Sequence, residues 1–300
     1  MSKTVNLCIA CKSQTAYFCR LPAYADITGT LKTNEYVDYV FCRKCKTIQQ
    51  SPLPHANKLL ESVKKTYANT KDKQEFEIEV SENAKSQHRK IVSTLIKLGI
   101  ATHVLEIGCG IGALCQMMIN QNINCTGIDV AYEIVRLAQD RGLPVNQQDF
   151  KKIKKKNLYN AIVMSHVFEH LSDPDETLHK IHGLLKPKGY FLTAQPTAFM
   201  THFLNSIFSL NRSRSRSLLK LGYLNLNPWH IIIYSILGMK ILADRHGFET
   251  IEIVPMPSVK GDGIFKIIRP VYNFFNRIGE IAFPSKWPFH VAHLFIMRKK

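Results

Sequence analysis

The stretch HVLEIGCGIGALCQ, residues 103–116, limits the possible folds of this chain more than any other. A short apolar run ending at Ile107 enters three closely spaced glycines, Gly108, Gly110 and Gly112, and a helix-compatible segment follows. Glycine accepts left-handed backbone and close approaches that a Cβ would block. A strand, a glycine turn and a helix make a cradle for a nucleotide-like ligand. The glycines alone do not select the ligand, because Gly108-x-Gly110-x-x-Ala113 also fits the dinucleotide spacing.

From about residue 100, apolar runs alternate with amphipathic ones. THVLEIG, NCTGIDV, PVNQQDF, YNAIVMSH and YFLTAQP read as strands. ALCQMMINQ, AYEIVRLAQDRG (closed by Gly142) and DPDETLHKIHGLLKPKG (followed through to Gly189) read as helices between them. This order predicts a parallel sheet covered on both faces, with ligands at the carboxyl ends of its strands. Those ends carry Gly108-Cys109-Gly110, then Asp129-Val130, Asp149-Phe150 and Ser165-His166. A carboxylate at Asp129 can accept both hydroxyls of a ribose. Asp149 can take the amino group of an adenine while Phe150 packs on the base. Glu106 can hold the glycine turn or meet a positively charged amino acid moiety. Together these describe an adenosine ligand with no pyrophosphate.

The front of the chain carries a different signal. Cys8-x-x-Cys11 and Cys42-x-x-Cys45 are two knuckles about thirty residues apart, with β-like runs such as EYVDYVFC between them. Four thiolates in this pattern close a structural zinc site and leave no open position for catalysis. Cys19 is a spare thiol. Neither pair opens a helix after a strand, which argues against a redox C-x-x-C. The opening MSKTVNLCIACK has no signal-peptide stretch, and the apolar run WHIIIYSILGMKILADRHGF is broken by Lys240 and Asp244. The expectation is a cytoplasmic protein whose eight cysteines are thiols or metal ligands. A formal charge of +17 favours phosphate-bearing partners: sugar nucleotides, nucleic acid or an anionic membrane surface.

With Glu106-x-Gly108-x-Gly110-x-Gly112, Asp129, Asp149-Phe150 and the SHVFEHL that follows the fourth strand, the chain resembles the class I S-adenosylmethionine-dependent methyltransferases over roughly residues 88–200. The resemblance implies an α/β, Rossmann-like sheet in which the glycine turn approaches the methionine part of S-adenosylmethionine. It also assigns Asp129 to the ribose and Asp149 to the adenine, with Cys109 as packing. YVFCRKCKTIQQSPLP followed by a charged helix looks like the zinc-ribbon methyltransferases of glycan and antibiotic pathways, in particular the compact relatives associated with surface polysaccharides. The expected organisation is a zinc ribbon over 1–55, a helical connector over 56–90 and a methyltransferase domain over 91–300. Insertions at about 198–227 and 258–290 are expected to form a lid over the acceptor or to lie on a membrane surface.

SHVFEHLSDPDETL places His166, Glu169 and His170 at relative positions 0, 3 and 4, on one face of a helical turn. His166 is the first candidate for the base that removes the acceptor proton. In related quinone O-methyltransferases a similar turn can hold a divalent cation; here its first carboxylate position is His166, which puts such a cation in question. The resemblance adds His230 and Tyr234 as substrate-facing candidates, with a core role preferred for Tyr234. The expected acceptor is a sugar or glycan precursor. RNA methylation, with the ribbon and the basic surface as grip, and quinone-type O-methylation are the alternatives; no N/D-P-P-[YF] motif follows the fourth strand.

Overall fold

The computed structural model of the protein describes residues 7–24, 31–55, 61, 73–209, 230–257, 264–282, 287 and 289–300. The remainder of the expected connector and insertions (56–60, 62–72, 210–229, 258–263, 283–286 and 288) lies outside the described residues. The described elements begin with β1 (Thr15–Tyr24), β2 (Leu31–Cys42), β3 (Ile48–Gln50) and α1 (Lys73–Lys97). The alternating part continues with β4 (Val104–Ile107), α2 (Ala113–Ile119), β5 (Cys125–Asp129), α3 (Tyr132–Asp140), β6 (Val145–Gln147) and β7 (Tyr159–Ser165). It is followed by α4 (Pro174–Leu184), β8 (Leu185–Pro196), α5 (Ala198–Ser209) and β9 (Ile232–Ile233). The last elements are α6 (Ile236–Arg245), β10 (Phe248–Pro255), α7 (Ile264–Ala282) and β11 (Ala292–Lys299).

The alternating runs form a seven-stranded sheet in the order β10-β11-β8-β7-β4-β5-β6. The pairs from β8 through β6 are parallel, and β11 is antiparallel to both β8 and β10. All four residues of β4 are buried, as expected of a strand covered on both faces. The fold is therefore the α/β, Rossmann-like sheet expected from the sequence. Strand order reverses at β4, so a crevice opens between the carboxyl ends of β4 and β7. The glycine turn leaves β4 there, and Ser165-His166 leaves β7 beside it.

Two elements differ from the sequence reading. The helix expected to run toward Gly189 stops at Leu184, and β8 starts at once. Pro187 cannot donate an intrahelical hydrogen bond, and the irregular start of β8 passes from the pair Tyr159–Leu185 to the pair Ala161–Tyr190. The helix expected from Asn227 begins only at Ile236, where the Ser235 hydroxyl accepts the Gly238 N–H at 2.8 Å. The β-branched residues before it suit a strand instead. β9 pairs antiparallel with β3 and completes a four-stranded sheet in the order β1-β2-β3-β9.

The two cysteine knuckles are one turn built twice. Lys12 and Lys46 each follow the second cysteine with positive φ, 60° and 67°, and donate back to the carbonyls of Cys8 and Cys42 at 2.8 and 2.9 Å. The first knuckle docks on α6 and α4. Arg245 donates to the Ala10 carbonyl at 2.8 Å, and Lys12, Arg245 and His246 converge on Asp175 at 2.6, 3.0 and 2.7 Å. Cys8, Cys42 and Cys45 are buried in the same core cluster as Leu105, Phe168 and Phe295.

Asp175 is thus the ionic seat of the amino-terminal module. Its burial pushes the carboxyl upward, but hydrogen bonds from Lys12 and His246 win and hold it below the usual range. Asp175→Asn is expected to lower unfolding free energy at pH 7 by about 1–2 kcal/mol. Because the folded value is depressed, this contribution is present above about pH 4 and fades as pH falls through the folded value. Urea titrations should therefore show the difference between wild type and variant shrinking below about pH 4.

Candidate active site

The glycine turn is built as a cradle. Gly108 has φ +74°, and a Cβ there would lie 2.4 Å from Cγ2 of Val167, so the turn rests directly on the loop after β7. Gly110 has φ +50° but nothing nearer to a Cβ than Ile134 at 3.9 Å. Its backbone therefore faces open space that a ligand can enter. Asp129 organises the turn: its carboxylate accepts the Gly110 N–H and the Ala131 N–H, both at 3.0 Å. This is the role that sequence reading offered to Glu106.

Glu106 points elsewhere. It is buried and accepts the Cys115 thiol at 3.0 Å. Burial pushes its carboxyl up to about 8 against the opposing pull of that bond. A buried acid in this state releases its proton when a cation is placed beside it. Cys109 is buried beside Gly127, so its side chain packs on protein. Val130, half-buried, accepts a hydrogen bond from the Gln147 amide through its carbonyl at 3.3 Å. Asp149 accepts the Lys151 N–H at 2.9 Å and so caps the single turn Phe150–Lys152. Phe150 is buried in the main core rather than presented for stacking.

A polar cluster faces this cradle from β7. His166 adopts φ +54°, an uncommon conformation for a residue with a side chain. Its Nε2 meets Gln87 Oε1 at 2.6 Å and its Nδ1 meets Glu169 Oε1 at 3.3 Å. The Gln87 amide nitrogen donates to the Pro257 carbonyl, so its oxygen is the acceptor toward His166. His166 therefore faces acceptors at both ring nitrogens. Glu169 is fully buried, and among the described residues its Oε2 has no hydrogen-bond partner. Burial pushes its carboxyl up, but the hydrogen bond with His166 and the neighbouring His170 and His230 bring it down to about 2. The rings of His170 and His230 lie 5.1 Å apart, and the ligand atoms of Glu169, His170 and His230 all fall within 4.8 Å of one another. That set of two imidazoles and one carboxylate could hold a cation. Tyr234 is buried and stacked on Phe168 at 5.3 Å, a core residue.

In the amino-terminal module the four knuckle sulfurs converge. Cys8 and Cys45 lie 3.5 Å apart, Cys11 and Cys42 3.4 Å, and all four sulfurs are within 4.8 Å of each other. A tetrahedral zinc with Zn–S bonds of about 2.3 Å sets its sulfurs about 3.8 Å apart. The donor set and spacing fit that ion. Cys19 is not part of the group.

Two residues of the β7 cluster were invisible in the sequence. Gln87 and His88 lie on α1, in the charged segment read as a connector, and both are buried. Burial, with a smaller contribution from the charge of His166, lowers His88 to about 4. The one available hint was a Gln-His pair at the head of the apolar run IVSTLI.

Residues 53–253 match the model of the Methyltransferase domain family. A ubiquinone biosynthesis O-methyltransferase of Photorhabdus laumondii is 30% identical over 95 residues, 29% of this chain and 40% of that protein. One from Xanthomonas oryzae pv. oryzae is 32% identical over 108 residues, 32% of this chain and 45% of that protein. The chain thus spans less than half the length of these curated relatives. Magnesium protoporphyrin IX methyltransferase from Synechocystis PCC 6803, solved with bound S-adenosylmethionine, superposes with a TM-score of 0.50 at 12% identity. The match covers 81% of this chain and 97% of that one and concerns the fold alone.

The depressed value of Glu169 carries a sign. A carboxyl whose folded value lies near 2, against an ordinary value of 4.5, stabilises the fold above pH 4.5 and loses that contribution as pH falls toward 2. Glu169→Gln is therefore expected to flatten the acid limb of the stability curve between about pH 5 and pH 2, measured by chemical unfolding. An unchanged acid limb would mean that the buried carboxylate is not held by its histidines.

Proposed function

The chain belongs to the methyltransferase domain family, and from that premise we propose that it methylates a small sugar or glycan precursor. Its activity is S-adenosylmethionine-dependent methyl transfer. We propose a division of labour in which residues 1–55 form the zinc module, 56–90 the connector and 91–300 the catalytic domain. The acceptor class rests on the pairing of a cysteine-knuckle module with a methyltransferase domain, the combination resembling enzymes of surface-polysaccharide synthesis. The observation that carries the mechanism is the histidine cluster around Glu169, set against the glycine turn through the contact of Gly108 with Val167.

The residues at the cradle fit S-adenosylmethionine. The open backbone at Gly110 admits the methionine part, and the buried acid Glu106 is poised to answer its ammonium group. Gly108 and Ser165 would border the same crevice, and Gly112 lets the following helix pack closely on Leu143, Ala138 and Val145. Asp129 would accept the ribose hydroxyls with lone pairs not used on the turn, and Asp149 the adenine amino group. When bound, S-adenosylmethionine supplies a methyl group on a positively charged sulfur. What remains for the protein is to orient a hydroxyl and accept its proton. His166, His170 and His230 are the groups placed to do so, and Glu169 stabilises whichever imidazole becomes cationic. Since both ring nitrogens of His166 face acceptors, it must release one of them before it can take a proton. Cys8, Cys11, Cys42 and Cys45 would hold a structural zinc.

A second reading is O-methylation of a quinone-type ring, the chemistry in the names of the two curated relatives. Methylation of RNA is the third, supported by the charge of +17. Labelled S-adenosylmethionine offered with separate pools of sugar nucleotides, lipid-linked glycans, quinone precursors and RNA distinguishes them; label in any pool but the first two overturns the sugar reading.

Four outcomes test the proposal. Asp129→Ala is expected to weaken S-adenosylmethionine binding by about 2–4 kcal/mol in calorimetry, since charge-assisted bonds are lost. Replacing the catalytic histidine by alanine is expected to lower turnover about 10²–10⁴-fold with cofactor affinity intact; His166, His170 and His230 must be compared singly. If activity survives EDTA, the cluster works as a base; if it fails and recovers with magnesium, it works through a cation. Elemental analysis is expected to find about one zinc per chain, lost in a Cys42→Ser/Cys45→Ser variant.

A further inference from the structure

Helix α7 carries its apolar stripe on the wrong side for a buried lid. Val271, Phe274, Ile278 and Ile281 follow helical spacing and are 68%, 66%, 50% and 74% exposed. The opposite face is the pinned one. Tyr272 donates to the Phe289 carbonyl at 2.6 Å and accepts the Val291 N–H at 3.2 Å, while Asn276 accepts the Trp287 indole N–H at 2.7 Å. These bonds fix the rotation of the helix, so the stripe cannot turn inward without breaking them. The patch widens at its rim. Phe275 lies against Trp287 and Phe289, and Phe199 and Phe203 of α5 lie against Phe289 at 5.3 and 5.0 Å. Phe199 and Phe203 are themselves partly exposed.

The charge of the chain favours an anionic partner: its formal net charge is +17. The α7 sequence carries Lys266, Arg269 and Arg277 against the single acid Glu280, whose carboxylate meets His290 at 3.1 Å. An exposed apolar helical stripe on a chain of formal charge +17 suits a helix lying in a lipid interface, with acyl chains taking the stripe and anionic headgroups attracted by the positive charge. No described helix is long and apolar enough to cross a membrane, so the contact is a surface one.

We propose that α7, with the aromatic rim of α5, docks the protein on an anionic lipid bilayer. The topology gives this docking a direction. The pair Ala292–Pro196 puts the start of β11 beside the end of β8, so α5 and α7 both leave the sheet at the carboxyl edge where the glycine turn sits. The docked face is therefore on the acceptor side of the molecule. The docking does not depend on which acceptor is methylated.

The test is co-sedimentation of the full chain with vesicles of phosphatidylcholine alone or with about 30 mol% phosphatidylglycerol. The wild type is expected to bind the anionic vesicles at least about tenfold more than the neutral ones, with binding reduced by salt. F274D/I278D, at exposed positions, is expected to lose about tenfold in bound fraction while keeping its melting curve and its affinity for S-adenosylmethionine. Arg277→Glu is expected to weaken binding and is a second probe should the double variant misfold. Absence of binding to anionic vesicles overturns the proposal, as does equal binding by wild type and a folded F274D/I278D. So does a wild-type dimer in light scattering that the stripe variant converts to monomer without any vesicle binding, because a second copy then covers the stripe.

Discussion

Glu169 is a carboxylate taken wholly out of water, and much of this edge of the molecule is arranged around keeping it charged. A buried charge is costly unless it is paired and hydrogen-bonded. Three histidines supply the pairing, one following the end of β7, one from the same turn and one from the segment just before β9. The Glu169 carbonyl also accepts the Ile231 N–H at 3.0 Å, and the Ile231 carbonyl accepts the Gln50 N–H at 2.8 Å. Tyr39 of β2 donates to the His230 carbonyl at 3.1 Å. The buried acid is thereby tied through backbone to the cysteine module. This explains how a module far from the glycine turn in sequence takes part in positioning the residues beside it.

The sheet was legible because its evidence is local and periodic. Strands β4, β5 and β7 each announce themselves by an apolar run closed with a polar or glycine residue at the carboxyl end. The knuckles were legible because metal-ligand spacing is a short-range pattern. What failed locally failed for tertiary reasons. Ile231–Ile233 reads equally well as helix start or strand, and the free edge of β3 decides the matter. Phe150 beside Asp149 suggested a ring for a base; the structure shows it buried in the core next to β6, a contact that sequence does not reveal. The holding of the glycine turn, offered to Glu106, falls to Asp129, because sequence gives the strand end and not the direction in which a carboxylate hydrogen-bonds.

The site depends most on what the sequence could not supply. Gln87 arrives from α1, 79 positions before His166, and its contact is visible only once the helix has packed against the sheet. The same holds for His230, which joins His170 across the first insertion. A methyltransferase needs little covalent machinery beyond an aligned hydroxyl and a proton acceptor, so small groups gathered from distant segments are enough to define its chemistry. In the proposed site the cofactor half would be written in contiguous motifs, whereas the acceptor half would be assembled from single residues on separate elements.

The most direct measurement is a crystal structure of the chain with S-adenosylhomocysteine. The account predicts the ribose on Asp129, the amino acid portion over Gly110 toward Glu106, and the sulfur opening onto the cluster of His166, His170 and His230. A ligand bound in the crevice with its sulfur facing away from Glu169 and its histidines would contradict it.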